Sequence, residues 1–332
     1  MWIRKVLSQR SVSLCCVIAC TFAAMGVTTS AIAQVYPDRP IKMLQGFAPG
    51  GNADTIARLI GAELSKSLAQ PVVIETKTGA GGTIASDAVA KAKADGHTLL
   101  LATGGHVVAG ALYASLPYQT VDSFEPVSTI TFFPFLMVVK SDSKLTGVRD
   151  LVAASNANPK GLSFGSAGVG STHHLTGELF AKAGGARLVH VAYRGDAASL
   201  VGLLGDEVDF IIAPATAVLS NIVAGKLRAV ATTGPGRWPG LPQVATVAEQ
   251  GVAGFDVRSW AGVLAPAGTA PAIVELLSGE VNRALTNVEV RSALEKIGGE
   301  AKGSTSAQMR AMMVSELRRW TQLVDEARIP RQ

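Results

Sequence analysis

Two short segments hold the residue types that could do chemistry: "GFAPGGNAD" at 46–54 and "SAGVGST" at 166–172. Each follows an apolar, strand-like run and precedes a helix-like one. Without a Cβ, Gly50 and Gly51 let a group approach the backbone directly. The helix behind them presents unpaired N–H groups and about half a positive charge. Asn52 is the expected N-cap, and Asp54 falls in the first turn, where a carboxylate is favoured. The chemistry suggested is capture of a small anion. A tight chain reversal alone would also call for glycines, so competing chemistries have to be weighed.

None of them is well supported. No G-x-x-x-x-G-K-[ST] is present, and "GAGGT" at 79–83 lacks the G-x-G-x-x-G spacing of a nucleotide loop. "GLSFG" at 161–165 matches G-x-S-x-G, but Ser163 falls mid-strand, away from the strand-to-helix turn a nucleophile needs. His173 and His174 are adjacent, so on a helix they diverge by about 100° and cannot grip one metal together. They are expected at a helix start, with one of them within reach of a ligand. His97, His106 and His190 have no partner at ligand spacing, so neither a metal nor a cofactor is expected.

The first 33 residues read as an export signal: basic "MWIRKVLSQR", apolar "SVSLCCVIACTFAAMGV", then "AIAQ" with small residues for cleavage before Gln34. An uncleaved anchor, or lipidation at Cys20 within "VIAC", are the alternatives. Cys15, Cys16 and Cys20 are the only cysteines. A chain cut before Gln34 therefore has no disulfide, no thiol nucleophile and no thiolate ligand. Of 30 basic residues, Arg4, Lys5 and Arg10 leave with the signal, so 27 face 25 acidic ones, a net of +2. So balanced a surface suits neither nucleic acid nor an anionic membrane. The longest later apolar run, "ITFFPFLMVV" at 130–139, is too short to span a bilayer. The expected product is a periplasmic globular protein.

The elements that must position the two turns alternate along the chain. "PIKMLQGF" predicts a strand, followed by a helix with Ile56, Leu59, Ile60, Leu64 and Leu68 on one face. "PVVIET" is a strand, "GAGGT" opens a helix through "IASDAVAKAKA", and "HTLLLAT" is a strand stopped by Gly104 and Gly105. The pattern then restarts with helix "VRDLVAAS", strand "LSFGS", helix "THHLTGELFAKAGG", strand "LVHVAY", helix "AASLVGLLGD" and strand "VDFIIA". Helix "AVLSNIVAGK" and strand "LRAVATT" close the series. Two βα series predict two α/β lobes built on parallel sheets, with boundaries near 136–140 and 256–262. "SAQMRAMMVSELRRWTQLVDEARI" is a long terminal helix whose lobe the sequence leaves open. Ligands of open α/β sheets bind beyond the carboxyl ends of the strands, so the two glycine turns should face one cleft.

Eight segments in order carry a resemblance: "YPDRPIKMLQGFAPGGNADTIAR", "QPVVIETKTGAGG", "ADGHTLLLATGGH", "LPYQTVDSFEPVS", "LSFGSAGVGSTHHL", "VAYRG", "GDEVDFIIA" and "WAGVLAPAGTAP". Together they make the mature chain similar, end to end, to the Bug-type periplasmic receptors of tripartite tricarboxylate transporters. The resemblance implies an α/β, two-lobed venus-flytrap fold, each lobe a mostly parallel sheet flanked by helices. After the signal at 1–33, lobe 1 would comprise 34–137 plus 260–332, and lobe 2 would comprise 138–259. It further implies a monomeric receptor, not an enzyme, holding a small carboxylate largely through backbone amides and water. Its partners would be membrane permease subunits or, for an orphan receptor, a sensor protein.

Carried over by position, the first-lobe loop is Phe47, Ala48, Pro49, Gly50, Gly51, Asn52 and Asp54. The second-lobe loop is Ser166, Ala167, Gly168, Gly170, Ser171 and Thr172, with Thr103 and Tyr193–Arg194–Gly195 completing the wall. Many relatives have an aspartate where this chain has Ala213, a difference that points to plain carboxylates rather than amino-acid ligands. Arg194 stands where relatives often have lysine, and its planar fork suits a carboxylate.

Overall fold

The computed structural model describes residues 36–326 and 328–332. The expected signal, its cleavage site and all three cysteines lie outside the described residues. The first βα series is β1 (Ile41–Gln45), α1 (Asn52–Leu68), β2 (Val72–Thr76), a 3-10 turn (Ala80–Gly82) leading into α2 (Thr83–Ala90), β3 (Thr98–Thr103) and α3 (Gly105–Leu112). Then come β4 (Phe124–Pro134) and β5 (Leu136–Lys140), separated by Phe135 alone. The second series is α4 (Val148–Ala157), β6 (Leu162–Ser166), α5 (Thr172–Gly184), β7 (Leu188–Ala192), α6 (Asp196–Leu204), β8 (Phe210–Ala213), α7 (Ala215–Val223) and β9 (Leu227–Thr232). The chain returns through β10 (Arg258–Pro266), α8 (Pro271–Ala284), α9 (Val288–Lys296), β11 (Glu300–Ala301) and α10 (Ser306–Glu326).

Two sheets result, ordered β11-β4-β10-β3-β1-β2 and β7-β6-β8-β5-β9. Each has a parallel half, β2-β1-β3 in one and β7-β6-β8 in the other. Most strands of each sheet run the same way, as expected, and antiparallel members make both sheets mixed. β10 runs antiparallel to β3 and β4, and β5 runs antiparallel to β8 and β9. The reason lies in the crossings. A strand that enters a sheet from the other lobe arrives at the end where the local strands finish, so it must run against them.

The two crossings are bound to each other. Phe135 and Thr233 exchange two hydrogen bonds, Thr233 N–H to Phe135 O, 3.0 Å, and Phe135 N–H to the side-chain Thr233 Oγ1, 2.9 Å. Thr233 Oγ1 donates in turn to Val257 O, 2.7 Å, and Val257 N–H donates back to Thr233 O, 2.8 Å. All three residues are buried.

Ile56, Ile60 and Leu64 of α1 are fully buried, while Leu59 and Leu68 of the expected stripe are half-buried. The long terminal helix α10 covers the first sheet. Its Met309, Met313, Trp320 and Val324 are buried, each contributing about 1.5–3 kcal/mol relative to exposure. Trp260 of β10 donates its indole N–H to Glu316 of that helix, 2.8 Å. Burial pushes the Glu316 carboxyl up, against the opposing pull of the Trp260 hydrogen bond.

Candidate ligand-binding site

The first rim is built from the end of β1. Gln45, fully buried, takes Phe47 N–H on its amide oxygen at 2.7 Å and donates to Phe47 O and Thr76 Oγ1 at 2.8 and 2.9 Å. The side chain thereby fixes the loop that starts at Gly46. A Cβ on Gly46 would lie 2.4 Å from Gly82 Cα, so the β1–α1 loop and the loop after β2 can pack only through glycine. Phe47, Ala48 and Pro49 then face the cleft.

Beyond Pro49 the rim differs from expectation. Gly50 has φ +79° and is exposed, and its N–H donates to Asp54 Oδ2 at 3.0 Å. Arg58 Nε reaches the same oxygen at 2.9 Å. Burial alone would raise the Asp54 carboxyl, but the Arg58 and Gly50 hydrogen bonds together hold it below the ordinary carboxylate range. The turn ahead of this helix is thus braced by the chain's own carboxylate. Gly50, Gly51 and Asp54 are not among the residues that line the cavity. Gly51, not Asn52, is the N-cap, without a side-chain hydrogen bond. Asn52 is the first helical residue, is buried, and lines a chamber behind the cleft.

The second rim follows β6. Ser166 Oγ lies 2.6 Å from His190 Nε2 and accepts Gly168 N–H at 3.1 Å, so Ser166 braces the loop from beneath. Ser171 caps α5, accepting from His174 N–H at 3.3 Å and donating to Gly168 O at 2.6 Å. Gly168 and Gly170 have φ +129° and +78°, values that L side chains rarely adopt. Tyr193, Arg194 and Gly195 complete the rim, Gly195 N–H donating to Ala167 O at 3.2 Å. Tyr193 donates to Glu207 Oε2 at 2.9 Å, and burial together with that carboxylate pushes its phenol up to about 12.

The rims meet at glycines. A Cβ on Gly81 would lie 2.8 Å from Val169 O, and one on Gly170 would lie 2.7 Å from Tyr113 Cε2. A Cβ on Gly104 would come within 3.1 Å of Thr172 Oγ1. These contacts close the lobes over a cavity of about 750 Å³, within the range of small-ligand sites. Of the expected residues, Phe47, Ala48, Pro49, Ala167, Gly168, Tyr193, Arg194 and Gly195 line it. Arg194 is the one charged side chain among its described lining residues, and the rest of the wall is mainly backbone and small side chains. Behind Phe47 lies a chamber of about 30 Å³ that Asn52, Thr103, Ser171 and Thr172 help to line.

The remaining expectations separate by position. Ser166 and Gly170 are buried supports of the rim rather than wall. Ala213 is 1% exposed and packed among Leu136, Val138 and Ile211, so its expected place on the cleft wall is corrected; the neighbouring Pro214 lines the inner chamber instead. Ser163 lies mid-strand, its hydroxyl 2.7 Å from Asp209 Oδ2, away from either space. His173 and His174 diverge: His173 lines the inner chamber, whereas His174 stacks on His190 with centroids 3.9 Å apart. Burial pushes His174 down to about 4 and, with His174 beside it, His190 down to about 3.

Sequence reasoning missed the third loop, Thr78–Gly81, and Tyr113 at the end of α3, both on the cavity wall. "TKTGAGG" offered the signal, a glycine turn after a strand, but it was weighed only as a nucleotide loop. It also missed Asp196 and Ser259 in the inner chamber. Asp196 immediately follows the Tyr193–Gly195 run; Ser259 had no local signal.

A family model described as "Tripartite tricarboxylate transporter family receptor" matches residues 56–329. The chain belongs to this receptor family. The receptor is 37% identical over 315 residues to the protein BugT of Bordetella pertussis, covering 94% of this chain and 97% of BugT. Among solved structures it resembles Rpa4515 of R. palustris with adipate, at 34% identity and a TM-score of 0.85, covering 90% of this chain and all of that one. It also resembles MatC of Rhodopseudomonas palustris with bound malate, at 32% identity and a TM-score of 0.82, covering 87% of this chain and all of that one. The receptor is therefore a solute-binding protein of the periplasmic type, α/β and two-lobed, and not an enzyme.

Proposed function

We propose that the receptor captures a small organic acid in the cleft between its lobes and delivers it to the permease of a tripartite tricarboxylate-type transporter. The observation that carries this reading is the composition of the cavity: mainly glycines and small side chains with the aromatic Phe47, Tyr113 and Tyr193, and Arg194 as its one described charge. Such a wall offers many amides and one guanidinium to a carboxylate, and no base or nucleophile. The relatives with adipate and malate support the same class of ligand. The lobes 34–137 with 260–332, and 138–259, act as the two jaws, joined where the chain crosses at Phe135 and near Val257. The receptor works in the periplasm as a monomer after cleavage before Gln34, and intact-mass measurement of exported protein checks that start.

The test of function is a thermal-shift screen of the mature protein against carboxylic acids and their amides. A ligand at 100 times its dissociation constant stabilises the native state by about 2.7 kcal/mol. Acids should raise the melting temperature and the matched amides should not. An amide that stabilises as well as its acid would overturn the assignment.

A further inference from the structure

The inner chamber contains two ionisable side chains, His173 and Asp196, whose roles the carboxylate reading leaves unexplained. They face each other from the starts of α5 and α6, His173 Nε2 lying 3.1 Å from Asp196 Oδ1, with side chains 11% and 12% exposed. The pair is misaligned. Neither ring nitrogen of His173 nor Oδ1 of Asp196 has a hydrogen bond, although all three atoms are shielded from water. Buried polar atoms are partnered as a rule, so these three atoms are available to a hydrogen-bonding group that enters the chamber. Phe135 lies against the imidazole, centroids 4.3 Å apart, which limits how far His173 can turn to satisfy itself.

The two spaces behind the rims are electrically opposite. The outer cavity has a guanidinium, and the inner chamber has a carboxylate. A ligand carboxylate beside Asp196 would meet like charge. A hydroxyl or ammonium there would give Oδ1 the charge-assisted hydrogen bond it lacks. At about 30 Å³ the chamber accommodates one such small group, about the volume of a water molecule.

We infer that the ligand is a carboxylic acid that also bears a hydrogen-bond donor, hydroxyl or amine, and that Asp196, positioned by His173, receives that donor. The inference rests on the carboxylate reading and narrows it. The test is calorimetric titration of the mature protein with three matched sets of plain, 2-hydroxy and 2-amino acid: propionate, lactate and alanine; succinate, malate and aspartate; phenylacetate, mandelate and phenylglycine. In the set that binds, the hydroxy or the amino member should bind at least tenfold more tightly than the plain acid, and which of them does so identifies the donor. Asp196→Ala and the near-isosteric Asp196→Asn should cut that preference to under threefold while leaving the plain acid as tight or tighter. A plain acid that equals or beats its partners in wild type overturns the inference, as does a preference that survives both variants. If both variants fail to fold, the wild-type ranking still decides. Binding without preference defeats this inference alone; no binding in any set defeats the carboxylate reading with it.

Discussion

The two rims are the same motif solved in two ways. Each is a strand, a glycine turn and a helix, but the first stabilises its turn with a charge and the second with neutral groups. Asp54 folds back onto Gly50 N–H and Arg58, so the turn before the first helix is braced by the chain's own carboxylate. In the second rim, Ser171 caps α5 and Ser166 rests on His190, which leaves that helix start uncharged. The comparison teaches that a glycine turn before a helix marks a possible anion site, while the next few side chains decide whether the chain braces the turn with a charge of its own.

Acidification should separate the rims most strongly. His174 and His190, beneath the second rim, are neutral when folded, with values pushed down to about 4 and about 3 from 6.5. The unfolded chain binds their protons first. Their contribution is therefore complete above about pH 6.5 and is lost as pH falls through the window toward 4 and 3. At about 1.4 kcal/mol per unit for each group, the loss by pH 4.5 is on the order of 5 kcal/mol. Glu178, the carboxylate nearest His174 at 3.7 Å, is itself raised by burial and so offers little relief. Asp54, held low, loses its contribution only below its unfolded value near 3.8. Hydrogen exchange at pH 5 should show β6 and β7 opening before β1 and α1; equal opening would dissolve the distinction.

Closure can be broken from the second rim. Gly170→Val puts a branched side chain where Tyr113 already lies 2.7 Å from a Cβ, at a φ that valine avoids. Ligand affinity should fall about 100-fold or more, equivalent to about 2.7 kcal/mol, and calorimetry would read it. Arg194→Ala tests the charge in the cavity. It should cost about 1.5–3 kcal/mol of binding, the worth of a hydrogen bond to a charged group, with the melting temperature of the ligand-free protein unchanged.

The smallest effects sharpen the comparison by falling mainly on stability. Ser171→Ala removes a cap and should cost about 1 kcal/mol in denaturant unfolding. Asp54→Asn should weaken the first rim to a similar degree and leave affinity within twofold, since the side chain faces away from the cleft. A tenfold loss of affinity in Asp54→Asn would restore the first helix start to the binding site.

Local pattern carried much of the architecture. The 3.6-residue spacing of Ile56, Ile60 and Leu64 announced α1, and β-branched runs between glycine turns announced β2, β3 and β7. β4 was not legible as a strand. "FEPVSTITFFP" is buried on both faces and includes buried Ser128, Thr129 and Thr131, so no alternation marks it. Strand direction was equally hidden, because side-chain periodicity is the same whichever way a strand runs. That is why the antiparallel β5 and β10, which make both sheets mixed, were not foreseen.

The sequence by itself determined the receptor family, the alternation of elements and eight of the residues on the cavity wall, because glycine turns after strands are local signals and sheet geometry gathers them at one end. Tertiary structure alone decided what each turn does. Gly50 is turned outward by a hydrogen bond to a carboxylate four residues away, and Ala213 is swallowed by the core of its lobe. His173 and Asp196 are 23 positions apart and on different helices, yet they meet in one buried chamber. No spacing encodes that meeting, since it depends on how two helices pack behind a shared sheet.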